Sequence, residues 1–227
     1  MAIDKTIKKK ITEEWLLVFP QLSAFAQNKL YKIVGCCILG IELIKSPFKD
    51  NYSPYFVIYP LWKKDVKACL DYPIILKNFK NKKGFEFDIP YERHEVFFSD
   101  VIESVKKQTP LLFDRNISLK EILSVLDEYA KTPPLSAAPN SYLQALLQEI
   151  KFEIALITGV NEAHNILEEI SKRAWDVNHF RVFGVEADQW LQELQKTISN
   201  REELLKRIEI NKEDKKISKL KSSEIIL

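Results

Sequence analysis

The sequence predicts an α+β fold, with a small antiparallel sheet in the N-terminal part packed against a larger C-terminal set of helices. β-branched and aromatic runs concentrate before residue 92, and such side chains suit a pleated, half-buried surface. Beyond it the apolar spacing changes to the 3.6-residue period of amphipathic helices. Only 5 glycines stand beside 10 prolines, a balance that suits helices with proline-marked ends, and no dinucleotide-binding or P-loop glycine motif occurs. With 227 residues, 46% of them hydrophobic, the chain can bury a substantial core. We expect one domain over residues 1–210, sheet-rich over 1–92 and helical over 93–210, followed by a polar tail or frayed helix over 211–227.

Taken in order, Ile11, Trp15, Leu16, Phe19 and Leu22 fall at helical spacings and predict a helix from Thr12 to about Val18, ended by Pro20. "KIVGCCILGIELIKS" at 32–46 is the longest apolar run and reads as one buried strand, with Gly35 and Gly40 permitting a bulge or the close approach of a neighbouring backbone. The turn-like "KDNYSP" and then "YFVIYPLW" predict its antiparallel partner. "KDVKACLDYPIILKNF" predicts a short helix and a short strand, and "KNFKNKKG" a basic exposed turn. In "GFEFDIPY", Phe85, Phe87 and Ile89 alternate with Glu86 and Asp88, the pattern of a strand with one wet face.

Helices follow. Val96, Phe97, Asp100, Val101 and Val105 predict one that ends before Pro110. In "SLKEILSVLDEYAK", Ser118 and Glu121 form a capping box ahead of an apolar face, and Pro133-Pro134 stops the helix. "SYLQALLQEIKFEIALITG" opens at Asn140 or Ser141 and closes at Gly159, with an apolar face wide enough to be central. "NEAHNILEEISKRAW", "EADQWLQELQKTIS" and "SNREELLKRIEI" complete the series, the last capped by Ser199 or Asn200.

Charge gives no bulk argument for nucleic acid: 34 basic residues face 32 acidic ones, a formal +2. The charged opening "DKTIKKKITEE" is unlike a secretory signal, and the run Ile33–Ile41 is far too short to span a bilayer, so a cytoplasmic protein without membrane association is expected. Three cysteines make no disulfide framework. Cys36 and Cys37 read as small core residues, and Cys69, near Lys67, has no designated base.

Among the three histidines, His164 and Glu168 have the i, i+4 spacing of a shared metal, but no second ligand pair recurs. No metal and no cofactor are expected. Asp88, Glu92, His94 and Asp100 form the densest mixture of acid and imidazole and are the catalytic candidates for a hydrolase-like enzyme. Lys77, Lys80, Lys82 and Lys83 with Phe79 interleaved have the makeup of a nucleic-acid contact. Aromatics crowd the first 100 residues, and Glu86, Asp88, Tyr91 and Glu92, with Tyr52 and Tyr55 of "KDNYSPYF", are the candidates for binding a protein partner.

Trp15 with Phe19-Pro20, Gly35, Gly40-Ile41, Tyr55-Phe56 and "YPLW" at 59–62 together resemble bacterial immunity proteins of polymorphic or secreted toxin systems. The resemblance covers about 50 residues of the first third. It implies a protein that binds a toxin domain and blocks it without catalysis of its own, and it assigns no functional residue. Protein binding is therefore the leading expectation, ahead of a hydrolase and of a nucleic-acid module.

Overall fold

In the computed structural model, which describes residues 5–227, an N-terminal antiparallel sheet joins a C-terminal set of helices, an α+β arrangement. Helix α1 (Lys5–Val18) begins ahead of the expected Thr12. Its charged first turns carry no apolar period, but they lie in register with the face that buries Ile11 and Trp15. The run expected as one strand is a hairpin: β2 (Lys29–Val34) and β3 (Cys37–Lys45) are joined by a turn at Gly35-Cys36. Gly35 adopts φ +55°, the left-handed region where glycine is at ease. Cys36 is thus a turn residue and Cys37 a strand residue, both buried, with sulfurs 3.9 Å apart.

β1 (Ser23–Ala26), β2, β3, β4 (Asn51–Pro60) and β5 (Ile75–Asn78) follow one another in the sheet, each antiparallel to the next. The short helix α2 (Val66–Asp71), capped by the Asp65 carboxylate, makes the connection to β5. Gly40 stands where β2 crosses closest: a Cβ there would lie 2.0 Å from the carbonyl oxygen of Leu30. Gly40→Ala is accordingly expected to destabilise the fold by about 3 kcal/mol, the upper end of overpacking costs. Urea unfolding reads this directly, and a variant of unchanged stability would contradict it.

On one face of the sheet, α1 and α3 (His94–Gln108) close a core of aromatic rings. Trp15 stacks on Phe19 and meets Phe98 edge-on, while Phe113 joins Phe19 to Phe56 of β4. The expected strand over 84–91 does not form. Only β6 (Ile89–Pro90), paired with β4, and a single bridge between Lys80 and Glu86 are strand-like.

The capping box at Ser118 and Glu121 starts α4 (Leu119–Ala130) as expected. Helix α5 (Tyr142–Thr158), capped by Ser141 and ended at Gly159, is buried on several sides against α4, α6 (Val160–Lys172) and α9 (Arg201–Lys212). α7 (Val177–Val182) and α8 (Ala187–Thr197) hold Phe180 and Trp190 against Trp175. Asn200 precedes α9 but makes no side-chain capping bond.

The residues after α9 are not a loose tail. Ile217 and Leu220 are buried, and β8 (Ser222–Ser223) and β9 (Ile225–Ile226) run parallel to β2 and to β7 (Ile117–Ser118). The N–H groups of Ile33 and Gly35 donate to the carbonyls of Lys221 and Ser223, both at 2.9 Å. Pairing of this kind is satisfied by backbone and needs no side-chain period, so the polar composition points only to a polar tail or frayed helix. Among the described residues no helix is long and apolar enough to cross a membrane.

Candidate functional site

The segment linking β5 to α3 is shaped by Asn81. Its carboxamide oxygen accepts the N–H groups of Lys83 (2.9 Å) and Phe85 (3.2 Å), its carbonyl accepts Gly84 N–H (2.9 Å), and its own N–H donates to Phe85 O (2.7 Å). This tight turn, with Gly84 at φ +83°, swings the following chain over α3, where Phe87 and Ile89 are buried as anchors. Phe85 was expected inside with them. It is instead 68% exposed, because the turn ends the alternation one residue before the first anchor.

Between this segment and α3 lies a groove of about 550 Å³ lined by Lys82, Lys83, Glu86, Asp88, Phe97 and Asp100, among others. Asp88 accepts from the Asn51 amide (2.8 Å) and from Lys49 (3.2 Å). Those contacts, the Asn51 bond first, hold its carboxyl below the usual carboxylate range. They also place the 46–50 turn beside the groove, and there Phe48 is 92% exposed. On the opposite wall, Lys82 reaches Glu103 (3.1 Å) and Asp100 (3.8 Å) from across the groove. The result is a rim of mixed charge, with Asp88 and Asp100 each paired to a lysine and Glu86 unpaired among the described residues, and with the exposed rings of Phe48 and Phe85 in the two turns that flank it.

His94 does not belong to this groove. It is 4% exposed and is held at the start of α3 by partners distant in sequence. Its Nδ1 lies 2.6 Å from the Tyr52 hydroxyl and its Nε2 lies 2.7 Å from Glu14 Oε2. A neutral ring satisfies both contacts, with Nε2–H donating to the carboxylate and Nδ1 accepting the phenol proton. Burial lowers the pKa of His94, opposed by Glu14. The triad joins α1, α3 and β4. Asp88, Glu92 and Asp100 are exposed elsewhere, each without a hydrogen bond or ion pair to His94, so the four catalytic candidates do not converge.

The six binding candidates divide in the same way. Glu86, Asp88 and Glu92 are exposed and Tyr55 is half-buried. Tyr52 and Tyr91 are core residues whose rings meet at 5.1 Å, and the Tyr91 hydroxyl accepts from Asn28 (2.9 Å), so neither offers a contact surface. Phe79 is likewise buried, so the ring that the lysine-rich turn exposes is Phe85 and not Phe79.

His164 is exposed, while Glu168 pairs with Lys172. Among the described residues no group of three His, Cys, Asp or Glu side chains is placed to hold a metal. The Cys37 thiol is raised by its contact with Cys36 and by burial, and the Cys69 thiol by burial.

Sequence reasoning missed Phe48, whose place in a turn after Pro47 was the available signal. It also missed Glu14, since nothing local distinguishes that residue from the other glutamates of a charged helix. Comparison of the chain with protein-family models, with curated proteins and with solved structures finds no match.

Proposed function

We propose that this protein binds a partner protein at the groove beside α3, and that the partner is a toxin which it neutralises. The observation that carries this reading is the exposure of Phe48 and Phe85 in the two turns that flank the groove lined by Glu86, Asp88 and Asp100. Aromatic rings kept in water within a rim of charge have the composition of an interface centre and its surround. Glu86, without an ion-pair partner among the described residues, offers a contact for a basic group of the partner, and the rings supply apolar area on docking. The toxin assignment comes from the resemblance of the first third to immunity proteins.

Co-expression with the product of the neighbouring gene tests both parts. A stoichiometric complex and protected growth are expected, with Phe48→Ala and Glu86→Lys together weakening the complex at least about tenfold, the loss of one interface anchor. Protection that survives both substitutions would place the contact elsewhere, and absence of any complex would remove the toxin reading.

A further inference from the structure

Among the described residues, the outer edge of β5 is left open by the fold. In β4 the odd-numbered residues bond to β3, as the Leu61 N–H to Cys36 O bond (2.9 Å) at the end of that ladder shows, and the even-numbered ones therefore face β5. Phe79 N–H donating to Pro54 O (3.3 Å) sets the same phase in β5. Ile75 and Lys77 then bond to β4, while the N–H and C=O groups of Leu76 and Asn78 point away from the sheet. No group among the described residues takes them. At the other side of the sheet β2 is paired by β1 and β8, so that side ends in strands of four and two residues.

The next outward position along this edge, Lys80, shows what the backbone there binds. The Gln108 side-chain amide accepts its N–H (3.0 Å) and donates to its carbonyl (2.6 Å), the two bonds a neighbouring strand residue would make. Beside the open stretch, a recess of about 360 Å³ between β5 and α4 is lined by Ile75, Lys77, Pro110, Val125, Glu128 and Tyr129. It is placed to receive alternate side chains of an added strand. Lys77, Lys80 and Lys83 along the edge and its turn have no ion-pair partner among the described residues, in contrast to Lys82. Self-pairing of two β5 strands would bring this lysine-rich edge against itself, which disfavours a second copy as the occupant.

We infer that the outer edge of β5 takes an extended acidic segment of a partner polypeptide as an additional strand, with main-chain bonds to Leu76 and Asn78 and a carboxylate opposite Lys77. This site is separate from the groove beside α3 and stands whether or not that groove binds a toxin.

Selection of the purified protein against a displayed random-peptide library tests the inference, with each enriched peptide then measured against variants. Enriched sequences are expected to carry an acidic residue and an apolar residue two positions apart, on the face that meets Lys77 and Ile75. Leu76→Pro and Asn78→Pro each remove one outward N–H and no bond to β4, and either is expected to weaken binding at least tenfold without lowering the melting temperature. A proline that does perturb melting is replaced in the comparison by the other, and by Lys77→Glu, which alters only an exposed side chain. N-methylation of alternate peptide residues is expected to abolish binding in one phase and spare it in the other. No enrichment, or enriched peptides indifferent to all three variants, would overturn the inference. So would single-stranded RNA binding the same lysines in place of peptide, or a dimer dissociated by Leu76→Pro.

Discussion

Glu153→Gln is expected to make the protein more stable at pH 8 by about 3 kcal/mol while leaving it nearly unchanged at pH 5. Glu153 lies on α5 with 8% of its surface exposed, facing the end of the sheet. Lys63 approaches to only 3.9 Å, and neither Glu153 Oε2 nor the adjacent indole Nε1 of Trp62 has a hydrogen-bond partner. Burial pushes the carboxyl up to about 7 from 4.5, with Lys63 opposing and Glu149 adding to the rise. A carboxyl raised in this way binds more protons folded than unfolded between those two values. Its favourable contribution is therefore complete below the unfolded value and is lost as pH rises through about 7.

Glutamine keeps the shape, cannot ionise, and retains an acceptor oxygen for the Trp62 N–H. At about 1.4 kcal/mol per pH unit, the rise converts to the figure given. Urea unfolding at the two pH values measures it. A glutamine variant less stable than the wild type at pH 8 would mean that the Lys63 contact outweighs the cost of burying the charge.

Glu42→Ala is expected to cost roughly 3–5 kcal/mol, the range for removing one partner from a buried charged cluster. Glu42 sits in the middle of β3, and its Oε1 accepts from the hydroxyls of Tyr31 and Tyr59 (2.8 Å for the latter) and from Lys29 (3.2 Å). Burial comes first among the causes that raise both phenols, with the carboxylate adding to it, so both remain protonated donors. Alanine takes the shared acceptor from two neighbouring buried hydroxyls; one can donate to the other, and the one left without an acceptor costs about 1–3 kcal/mol.

The triple variant Glu42→Leu with Tyr31→Phe and Tyr59→Phe removes the hydroxyls together with the charge, and it is expected to recover most of the loss. Denaturant unfolding of the single and triple variants separates the two contributions. A triple variant no more stable than Glu42→Ala would show that packing of the side chain, and not unsatisfied hydroxyls, sets the cost.

The elements that could be read from sequence are those whose bonds close within a few residues. The Ser118/Glu121 capping box, the Ser141 cap and the end of α5 at Gly159 all lie where local pattern put them. The β3–β4 pair was legible for a related reason, since a polar turn separates two β-rich runs. The Gly35-Cys36 hairpin was not, because apolar residues continue across the turn and hide it. Of the candidate surface, Glu86, Asp88 and Asp100 do line one groove, whereas Tyr52, Tyr91 and His94 turn into the core and Phe85 turns out of it.

Composition and periodicity thus determined the α+β class, the switch from sheet to helix near residue 92 and most helix ends, because propensity and capping act over one turn of chain. Tertiary structure alone decided that β8 joins the sheet at β2 and β9 pairs apart from it with β7, that His94 pairs with Glu14 80 positions away, and that the outer β5 edge stays open. Each of these depends on which backbone and polar groups meet across long loops, and the need to satisfy buried hydrogen bonds settles that only after the chain has folded.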